Sequence, residues 1–483
     1  MPTVGVVRDD LFKRMGYSYT PDELVKDGKA QALFEDLCFE FGIELDDVTS
    51  EKEMVAKEQN EAKAAALDDT VIYKIDIPAN RYDLLCIEGI ARSLRIFTEL
   101  EPAPSYKVVE PKGPRQVMKV HPSTQAIRPY VVCAILRGMT FDEKVYKSFI
   151  DLQDKLHQNI CRGRKLVAIG THDLATVEGP FSFSAPKPED ISFVPLTEEE
   201  RVFSGKELMD HYKTDPGCKH LAPYVPLIYD SPVYPLIKDA KGTVMSLPPI
   251  INGRHSRIQL HTKDVFIECT ALDLTKAHIV LDTMVTMFSE YCEVPFTVEP
   301  VDVVYEEPVL NPGADKPGSN TTGAGEPAML STETTPRLMQ RTADATVEEI
   351  TSVIGVDLEP DDIIKLCGKM QLGPAEYLAE VGPGQPGDNS MRMKTGLPLK
   401  RGTVRVTVPP TRSDILHSVD IVEDVAIAYG FNRLLPGTQP PVLTVGQPLP
   451  INHFCDQLRD EIARAGYMEM LTHGLCMTRE NYE

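Results

Sequence analysis

Alternating apolar and polar residues predict several strands along the chain. Val404, Val406 and Val408 alternate with polar residues, and Pro409 and Pro410 then end the strand because proline donates no N–H to a ladder. Other strands are predicted by alternation or by short apolar runs at residues 4–7, 71–77, 130–136, 165–169, 265–270 and 296–304. The chain is therefore expected to contain several sheets.

Apolar residues at helical spacing predict helices between these strands. In residues 419–429 they cover one face of a helix, and Gly430 is placed to end it. Asp83 is expected to cap a helix over residues 84–94. Further helices are predicted over residues 149–158, 346–355, 359–366 and 454–465, with a strand from Tyr467. Together the patterns predict a multidomain α+β protein.

The helix predicted over residues 419–429 carries a cluster of acids. Asp420, Glu423 and Asp424 fall at i, i+3 and i+4, and Asp414 lies in the turn before them. Carboxylates this close repel one another unless a cation or basic side chains lie among them. A Mg²⁺ ion would suit the cluster. The alternative is that acids in a first helical turn only complement the helix dipole.

Length and composition indicate a globular protein of several domains. The chain has 483 residues, of which 42% are hydrophobic and 25% charged, and no stretch approaches about 20 apolar residues. Its start lacks the features of a signal or transit peptide, so a cytoplasmic protein is expected. The ten cysteines include no C-x-x-C pair and no histidine at finger spacing, which supports neither a disulfide framework nor a zinc site.

The net charge argues against a chain that wraps nucleic acid alone. The formal charge is −22, and residues 293–390 hold 18 acids against 5 bases. Phosphate contacts come mainly from lysine and arginine. If the protein acts on an RNA, most phosphate contacts are therefore expected from a partner.

Two polar clusters lie where apolar segments end. Gly170, Thr171, His172 and Asp173 follow the strand predicted over 165–169, and residues 251–256 form the second cluster. Polar side chains at the rim of a sheet often form sites. The alternative for His172 is a hydrogen-bonded histidine at a strand end, with no chemical role.

Two separated motifs resemble the beta subunit of phenylalanyl-tRNA synthetase. The first is DIPANRYDLL at residues 76–85, followed by EGIAR at 88–92; the second is PTRSDI at 410–415, followed by DIVEDVA and YGFN. The chain starts directly in the first domain, as in the archaeal and eukaryotic cytosolic type. Arg81 and Arg92 are interpreted as exposed residues of an interface or a solvated face, with RNA contact as the alternative.

The resemblance implies five segments. It also implies that residues 450–483 begin a larger domain with the antiparallel class II synthetase-like fold, so the sequence is expected to be a fragment. The segments are an N-terminal α/β domain (1–105), an editing, tRNA-binding domain (106–290), a return strand and flexible linker (291–345, with a mobile insertion at 311–326), a winged-helix-like magnesium domain (346–440) and the incomplete catalytic-like domain (450–483).

The resemblance also implies site residues for editing. Glu268 is the candidate that accepts a hydrogen bond from the phenol of wrongly attached tyrosine, which phenylalanine cannot donate. Thr171 and His172 are expected to line the pocket, and His255 and Asn252 are weaker candidates. Without the family, Glu268 would be interpreted as an ordinary solvent-facing acid.

Finally, the resemblance implies a cofactor and partners. Asp414, Asp420, Glu423 and Asp424 are expected to bind Mg²⁺, and an alpha subunit is expected to complete an alpha2beta2 assembly that charges the tRNA for phenylalanine. ATP and phenylalanine would bind the alpha subunit, since this chain shows no Gly-rich phosphate-binding loop. Two alternatives remain: a free-standing deacylase of mischarged tRNA, and a non-catalytic assembly scaffold.

Overall fold

The computed structural model describes residues 2–17, 29–50, 52, 70–310, 329–379, 402–434 and 446–482. The chain divides into two compact units, Met1–Phe431 and Asn432–Glu483. The insertion predicted at 311–326 lies outside the described residues. Among the helices that are described, none combines the length and apolar character needed to cross a bilayer.

A three-stranded antiparallel sheet forms the N-terminal part of the first unit. The central strand β3 pairs with β1 and β2, and the buried side chains Tyr73 and Ile75 of β3 face the helices. The strands predicted at 4–7 and 71–77 are confirmed. The elements are β1 (Thr3–Val7), α1 (Arg8–Met15), α2 (Lys29–Phe41), β2 (Glu44–Ser50), β3 (Val71–Asp76) and α3 (Ile87–Phe97).

Three sequence expectations for this region are wrong. Asp83 does not cap α3; it lies in a 3-10 turn and accepts two hydrogen bonds from Arg81 at 2.9 and 2.8 Å. Arg81 and Arg92 are not exposed but 7% and 6% accessible. Arg92 binds Glu290 at 2.7 Å, so both guanidinium groups hold the interior together.

A large mixed sheet forms the centre of the first unit. Its strands are ordered β13-β12-β11-β8-β5-β15-β6-β14-β7, and β4 and β16 also pair with β15. Strand β7 lies at one edge and pairs antiparallel with β14. The strands are β4 (Lys107–Val108), β5 (Gln116–Val120), β6 (Tyr130–Leu136), β7 (Val167–Asp173), β8 (Phe181–Ser184), β11 (Leu236–Lys238), β12 (Val244–Leu247), β13 (Ile251–Asn252), β14 (Val265–Ala271), β15 (Thr297–Leu310) and β16 (Met329–Thr335).

Two long helices, α4 (Glu143–Gln158) and α6 (Leu274–Phe288), pack against this sheet. Asp142 caps α4 by accepting the N–H of Val145 at 2.8 Å, so the helix begins before residue 149, where apolar spacing alone placed its start. A separate apolar cluster surrounds α5 (Gly205–Thr214) and the short hairpin β9 (Ser192–Phe193) and β10 (Phe203–Ser204).

A third region has a three-stranded sheet, β17 (Arg341–Thr346), β19 (Thr403–Val408) and β18 (Ala375–Leu378), in that order. Val404, Val406 and Val408 are buried, which confirms the strand predicted from their alternation. The helices α7 (Val347–Ile354), α8 (Pro360–Lys369) and α9 (Ser418–Tyr429) cover the sheet, and α10 (Phe431–Leu434) follows. Gly355 ends α7 with φ of 80°, as predicted.

The second unit contains α11 (Pro450–Arg464) and α12 (Thr478–Tyr482), separated by residues without regular structure. The helix predicted at 454–465 is confirmed. The strand predicted from Tyr467 is wrong, because this segment has no neighbouring strand among the described residues with which to pair.

Candidate functional site

A cavity of about 690 Å³ lies along the edge strand β7. It is lined by residues of α4, β7 and β14, by the segment 246–252 and by residues 257–260. This volume suits a small ligand. The sequence candidates Thr171, Asn252 and Glu268 all line it, whereas His172 and His255 do not.

Glu268 lies in the middle of β14, opposite Cys133 of β6 and Gly170 of β7. The side chain is buried, so the interpretation as a solvent-facing acid is wrong. Its Oε1 accepts a hydrogen bond from Ser246 Oγ at 2.8 Å, while Oε2 has no partner within the described part of the chain. A buried carboxylate oxygen without a partner is costly, so this atom favours a ligand that donates a hydrogen bond.

The backbone at Gly170 makes room for this carboxylate. A Cβ added at Gly170 would lie 2.1 Å from Glu268 Oε1 and 3.1 Å from His172 Nε2. Both side chains are almost completely buried. A side chain at position 170 would therefore force the Glu268 carboxylate to move.

His172 is next to Glu268 but outside the cavity lining. It lies on the same face of β7 as Gly170 because side chains alternate along a strand. Its Nδ1 contacts Ser256 Oγ at 2.8 Å, and its Nε2 is 3.8 Å from Glu268 Oε1. The expectation that His172 lines the pocket is thus not met. His255 is exposed and lies 2.7 Å from the carbonyl oxygen of Thr176.

Thr171 and Asn252 supply polar groups at the cavity wall. Asn252 Nδ2 donates to the carbonyl oxygen of Thr171 at 3.4 Å, and Thr171 Oγ1 donates to Gln153 Oε1 at 3.5 Å. These long hydrogen bonds leave the amide and hydroxyl groups able to contact a polar ligand. Gln153 was not predicted as a site residue, although its position on the inner face of α4 follows from helical spacing.

His157 is a second lining residue that sequence reasoning missed. Its Nε2 accepts the backbone N–H of Ile169 at 3.0 Å, which fixes this nitrogen as unprotonated. Burial lowers the pKa of His157 to about 4, so the ring is neutral at physiological pH. The cavity is also lined by the basic residues Arg164 and Arg257. The sequence signal that could have identified His157 as a lining residue is its position on the apolar face of α4.

The acidic helix α9 has a different arrangement from the one expected. Arg412 is 1% exposed and binds Asp414 through Nε and Nη2, the latter at 2.7 Å from Oδ2. Its Nη2 also lies 2.7 Å from Asp424 Oδ2, and its Nη1 donates to the carbonyl oxygen of Met370. A guanidinium therefore occupies the position between two of the four predicted metal ligands.

Burial and Arg412 act in opposite directions on these carboxyl groups. Burial raises the pKa of Asp424 to about 6, although Arg412 opposes the shift. Burial would also raise the pKa of Asp414, but the charge and hydrogen bonds of Arg412 outweigh it, and the pKa is lowered. Asp414 is thus the carboxylate that Arg412 holds most firmly.

The other two acids point elsewhere. Asp420 Oδ2 accepts the backbone N–H groups of Leu416 and His417, each at 2.7 Å, and so caps α9. Glu423 is exposed. The four carboxylates therefore do not form one ligand set in this structure. The outward pair, Asp420 and Glu423, still suits Mg²⁺, which commonly takes one or two carboxylates and keeps several waters.

The two sequence motifs meet in the interior. Arg81 and Asp83 of the first motif form a buried ion pair. The charge of Arg81 contributes to the lowered pKa of Asp414 in the second motif and opposes the rise that burial causes in the pKa of Asp424. Asp83 in turn acts on Arg412. The motifs thus form one buried charge cluster of Arg81, Asp83, Arg412, Asp414 and Asp424, which we call the motif cluster.

Comparison with known families gives three matches along the chain. Residues 1–100 match the Phe-tRNA synthetase beta subunit B1 domain, residues 137–293 match the B3/4 domain, and residues 343–431 match the tRNA synthetase B5 domain. The cavity and Glu268 lie within the second match, and the acids of α9 lie within the third.

Comparison with individual proteins agrees. The chain is 47% identical over its full length to the cytoplasmic phenylalanine--tRNA ligase beta subunit of Arabidopsis thaliana and 45% identical over 99% of its length to the human beta subunit, covering 71% of each. The structure resembles an N-terminal fragment of the beta subunit of phenylalanyl-tRNA synthetase from Pyrococcus horikoshii, with a TM-score of 0.66 and 28% identity over 89% of this chain and 99% of that one.

Proposed function

The chain belongs to the phenylalanine–tRNA ligase beta subunit family, and on this premise we propose that it combines with an alpha subunit to charge tRNA and also edits mistakes. The ligase joins phenylalanine to its tRNA and converts ATP to AMP and pyrophosphate. The ligation site is assigned to the alpha partner, and an alpha2beta2 assembly is proposed. The beta chain contributes assembly surface, tRNA positioning and a pocket that hydrolyses tyrosyl-tRNA.

The unpartnered Oε2 of Glu268 carries the editing proposal. A tyrosyl group in the cavity can donate its phenol O–H to this oxygen. A phenylalanyl group would leave the oxygen buried without a partner, at a cost of about 1–3 kcal/mol or more for a charged group. The same cavity therefore favours tyrosine over phenylalanine, the opposite of what ligation requires.

The rest of the lining suits the end of a tRNA. Thr171 and Asn252 can orient the ester and an attacking water molecule, and Arg164 and Arg257 can contact phosphate groups. In the reaction, water attacks the ester carbonyl carbon, the bond to the ribose oxygen breaks, and tyrosine and tRNA with a free hydroxyl are released. Ser246 positions Glu268 through its hydrogen bond, and His172 and His255 have no proposed role in the step.

Deacylation of tyrosyl-tRNA by the complex with the alpha subunit tests this function. Replacing Glu268 by Ala is expected to lower the rate roughly 10- to 100-fold, as for loss of a charge-assisted hydrogen bond, and to leave phenylalanine charging intact. Glu178→Ala removes an exposed carboxylate in the same region and is the control. An unchanged rate in Glu268→Ala would instead favour the scaffold, and full activity without the alpha subunit would favour the free-standing deacylase.

Three further assignments belong to the same proposal. We propose that Mg²⁺ binds at the outward carboxylates Asp420 and Glu423, whereas Asp414 and Asp424 are paired with Arg412. A cytoplasmic location is proposed because a similar protein is named as cytoplasmic. The division into segments 1–105, 106–290, 291–345, 346–440 and 450–483 is retained as a proposal.

A further inference from the structure

A second group of potential metal ligands lies outside the cavity, at the end of α5. His211 is in the last turn of the helix, Asp215 follows it, and Cys218 ends a 3-10 turn at Pro216–Cys218. A ring nitrogen of His211, a carboxylate oxygen of Asp215 and the sulfur of Cys218 all lie within 4.8 Å of one another. A fourth group is near, because Glu198 Oε1 is 3.5 Å from His211 Nε2.

Local structure explains why these groups converge. The spacing of four residues brings His211 and Asp215 to one side of the helix end. Asp215 Oδ1 accepts the N–H of Gly217 at 3.1 Å and so fixes the turn that brings Cys218 back. Its other oxygen, Oδ2, is left 3.3 Å from His211 Nε2. Cys218 is 6% exposed, so its sulfur points inward.

The geometry is that of a site and not of a simple ion pair. His211 Nε2 is shielded from solvent and makes no hydrogen bond to any described residue, although two carboxylate oxygens lie within 3.5 Å. The nitrogen is therefore close to two carboxylates without being hydrogen-bonded to either. Ligands bound at about 2.0–2.3 Å around a tetrahedral ion lie about 3.3–3.6 Å apart. The two distances from His211 Nε2, 3.5 Å to Glu198 and 3.3 Å to Asp215, match this spacing, and Cys218 lies within 4.8 Å of both His211 and Asp215.

We propose that His211, Asp215, Cys218 and Glu198 bind one Zn²⁺ ion. A set of one nitrogen, one sulfur and two carboxylate oxygens suits Zn²⁺, whereas Mg²⁺ and Ca²⁺ take oxygen ligands alone. Four protein ligands close the coordination sphere, so the ion is structural. Cysteine pairs and finger spacings in the sequence do not indicate such a site, because its ligands are mixed and Glu198 is on another segment.

The ion would hold part of the cavity wall in place. Glu198 lies in the loop between β9 and β10, and Zn²⁺ would tie this loop to the end of α5. Leu196 and Leu221, each within three residues of a ligand, line the cavity beside β7. This region has many short turns and its own small apolar cluster, so a metal would add a constraint where the core is small.

Metal analysis of the full chain tests the site. After chelation and dialysis against Zn²⁺, the parent is expected to retain one zinc per chain. When Co²⁺ replaces the zinc, the parent is expected to show the near-ultraviolet charge-transfer band of a cobalt–thiolate bond. His211→Gln and Cys218→Ser are expected to lose the stoichiometric zinc and Cys218→Ser the band. The control Cys455→Ser, which removes an exposed thiol, is expected to retain both.

Two results would overturn the proposal. The first is a parent that keeps much less than one zinc per chain. The second is zinc content that survives both His211→Gln and Cys218→Ser, or that is lost in Cys455→Ser, because the ion would then be bound adventitiously elsewhere. The zinc content and the cobalt spectrum of the parent need no variant, so the proposal can still be overturned if a substitution prevents folding. Tyrosyl-tRNA hydrolysis is not the readout, and the site can fail without affecting the editing proposal.

Discussion

The cavity around Glu268 and the motif cluster both bury carboxylates, but only the cavity leaves one available to a ligand. In the motif cluster, Arg412 lies 2.7 Å from oxygens of both Asp414 and Asp424. Near Glu268, the guanidinium of Arg128 donates its N–H groups to Thr270 and to backbone carbonyls instead. The comparison indicates that a buried acid is available for recognition where the protein supplies no cation to it.

The two regions also differ in what surrounds the acids. The motif cluster joins segments more than 300 residues apart, so its charges stabilise the contact between them. Glu268 lies within one sheet beside an open cavity, and its position is fixed by the pairing of β14 with β6 and β7. Substitutions in the first region should therefore affect stability, and those in the second should affect ligand preference.

The largest expected effect is loss of stability in Arg412→Met. Removing the guanidinium leaves Asp414 and Asp424 buried without a partner, at a cost of about 3–5 kcal/mol. Urea unfolding followed by circular dichroism measures this change. Arg405→Met is the matched control, because Arg405 of β19 pairs with Asp344 of β17 on the exposed face of their sheet. It should cost at most about 1 kcal/mol. Equal costs for the two variants would contradict a special role for the motif cluster.

The next effect is the pH dependence due to His157. Because burial lowers its pKa from 6.5 to about 4, the unfolded chain binds a proton more readily than the folded chain between these values. Stability is thus fully present above about pH 6.5 and decreases as the pH falls toward 4. Its share is about 2 kcal/mol between pH 7.5 and 5.

His157→Gln tests this origin, because the amide oxygen can still accept the N–H of Ile169 but cannot take up a proton in this range. Unfolding free energies of parent and variant at pH 7.5 and 5 give the comparison. The variant should lose less stability on acidification. Parallel pH profiles would mean that other groups cause the acid sensitivity.

A smaller effect on stability, but a clear one on editing, is expected for Gly170→Ala. The added methyl group would lie 2.1 Å from Glu268 Oε1, so the carboxylate has to move. We expect a stability cost of about 1–3 kcal/mol and slower tyrosyl-tRNA hydrolysis, with phenylalanine charging retained. Gly113→Ala is the control, since nothing lies within 4 Å of its added Cβ. Unimpaired hydrolysis in Gly170→Ala would show that the position of Glu268 is unimportant.

The smallest effect is expected for Asp420→Ala. Loss of its two hydrogen bonds to the start of α9 should cost about 1 kcal/mol without magnesium. If Asp420 also binds Mg²⁺, thermal stability should rise with Mg²⁺ in the parent and not in the variant. A parent that does not respond to Mg²⁺ would count against the metal assignment.

Local patterns predicted much of the fold. Alternation placed β3 and β19, and apolar spacing placed α9 and α11. Local patterns failed where the outcome depended on the neighbours of a residue in the fold. The segment from Tyr467 has no strand partner among the described residues, and Asp83 binds Arg81 instead of capping α3. The repulsion argument for the acids of α9 allowed for basic side chains among them. It could not identify Arg412, because spacing does not show which way a side chain in a turn points.

The cavity was predictable only in part. The family resemblance identified Glu268, and the strand-end cluster identified Thr171. The cavity is lined from both faces of β7, by Ala168 on one face and by Ile169 and Thr171 on the other, so sequence spacing alone could not show that Thr171 lines it and His172 does not. His157 and Gln153 come from a helix that is distant from β7 along the chain and adjacent to it only in the fold.

Binding of two non-hydrolysable analogues tests the central claim most directly. One analogue mimics the aminoacylated end of tyrosyl-tRNA and the other that of phenylalanyl-tRNA, and in each an amide replaces the ester. Each is titrated into the full chain in a calorimeter. The parent should bind the tyrosyl analogue roughly 10- to 100-fold more tightly, and Glu268→Leu should lose that preference because it cannot accept the phenol hydrogen bond. Equal preference in the parent and Glu268→Leu would contradict the account.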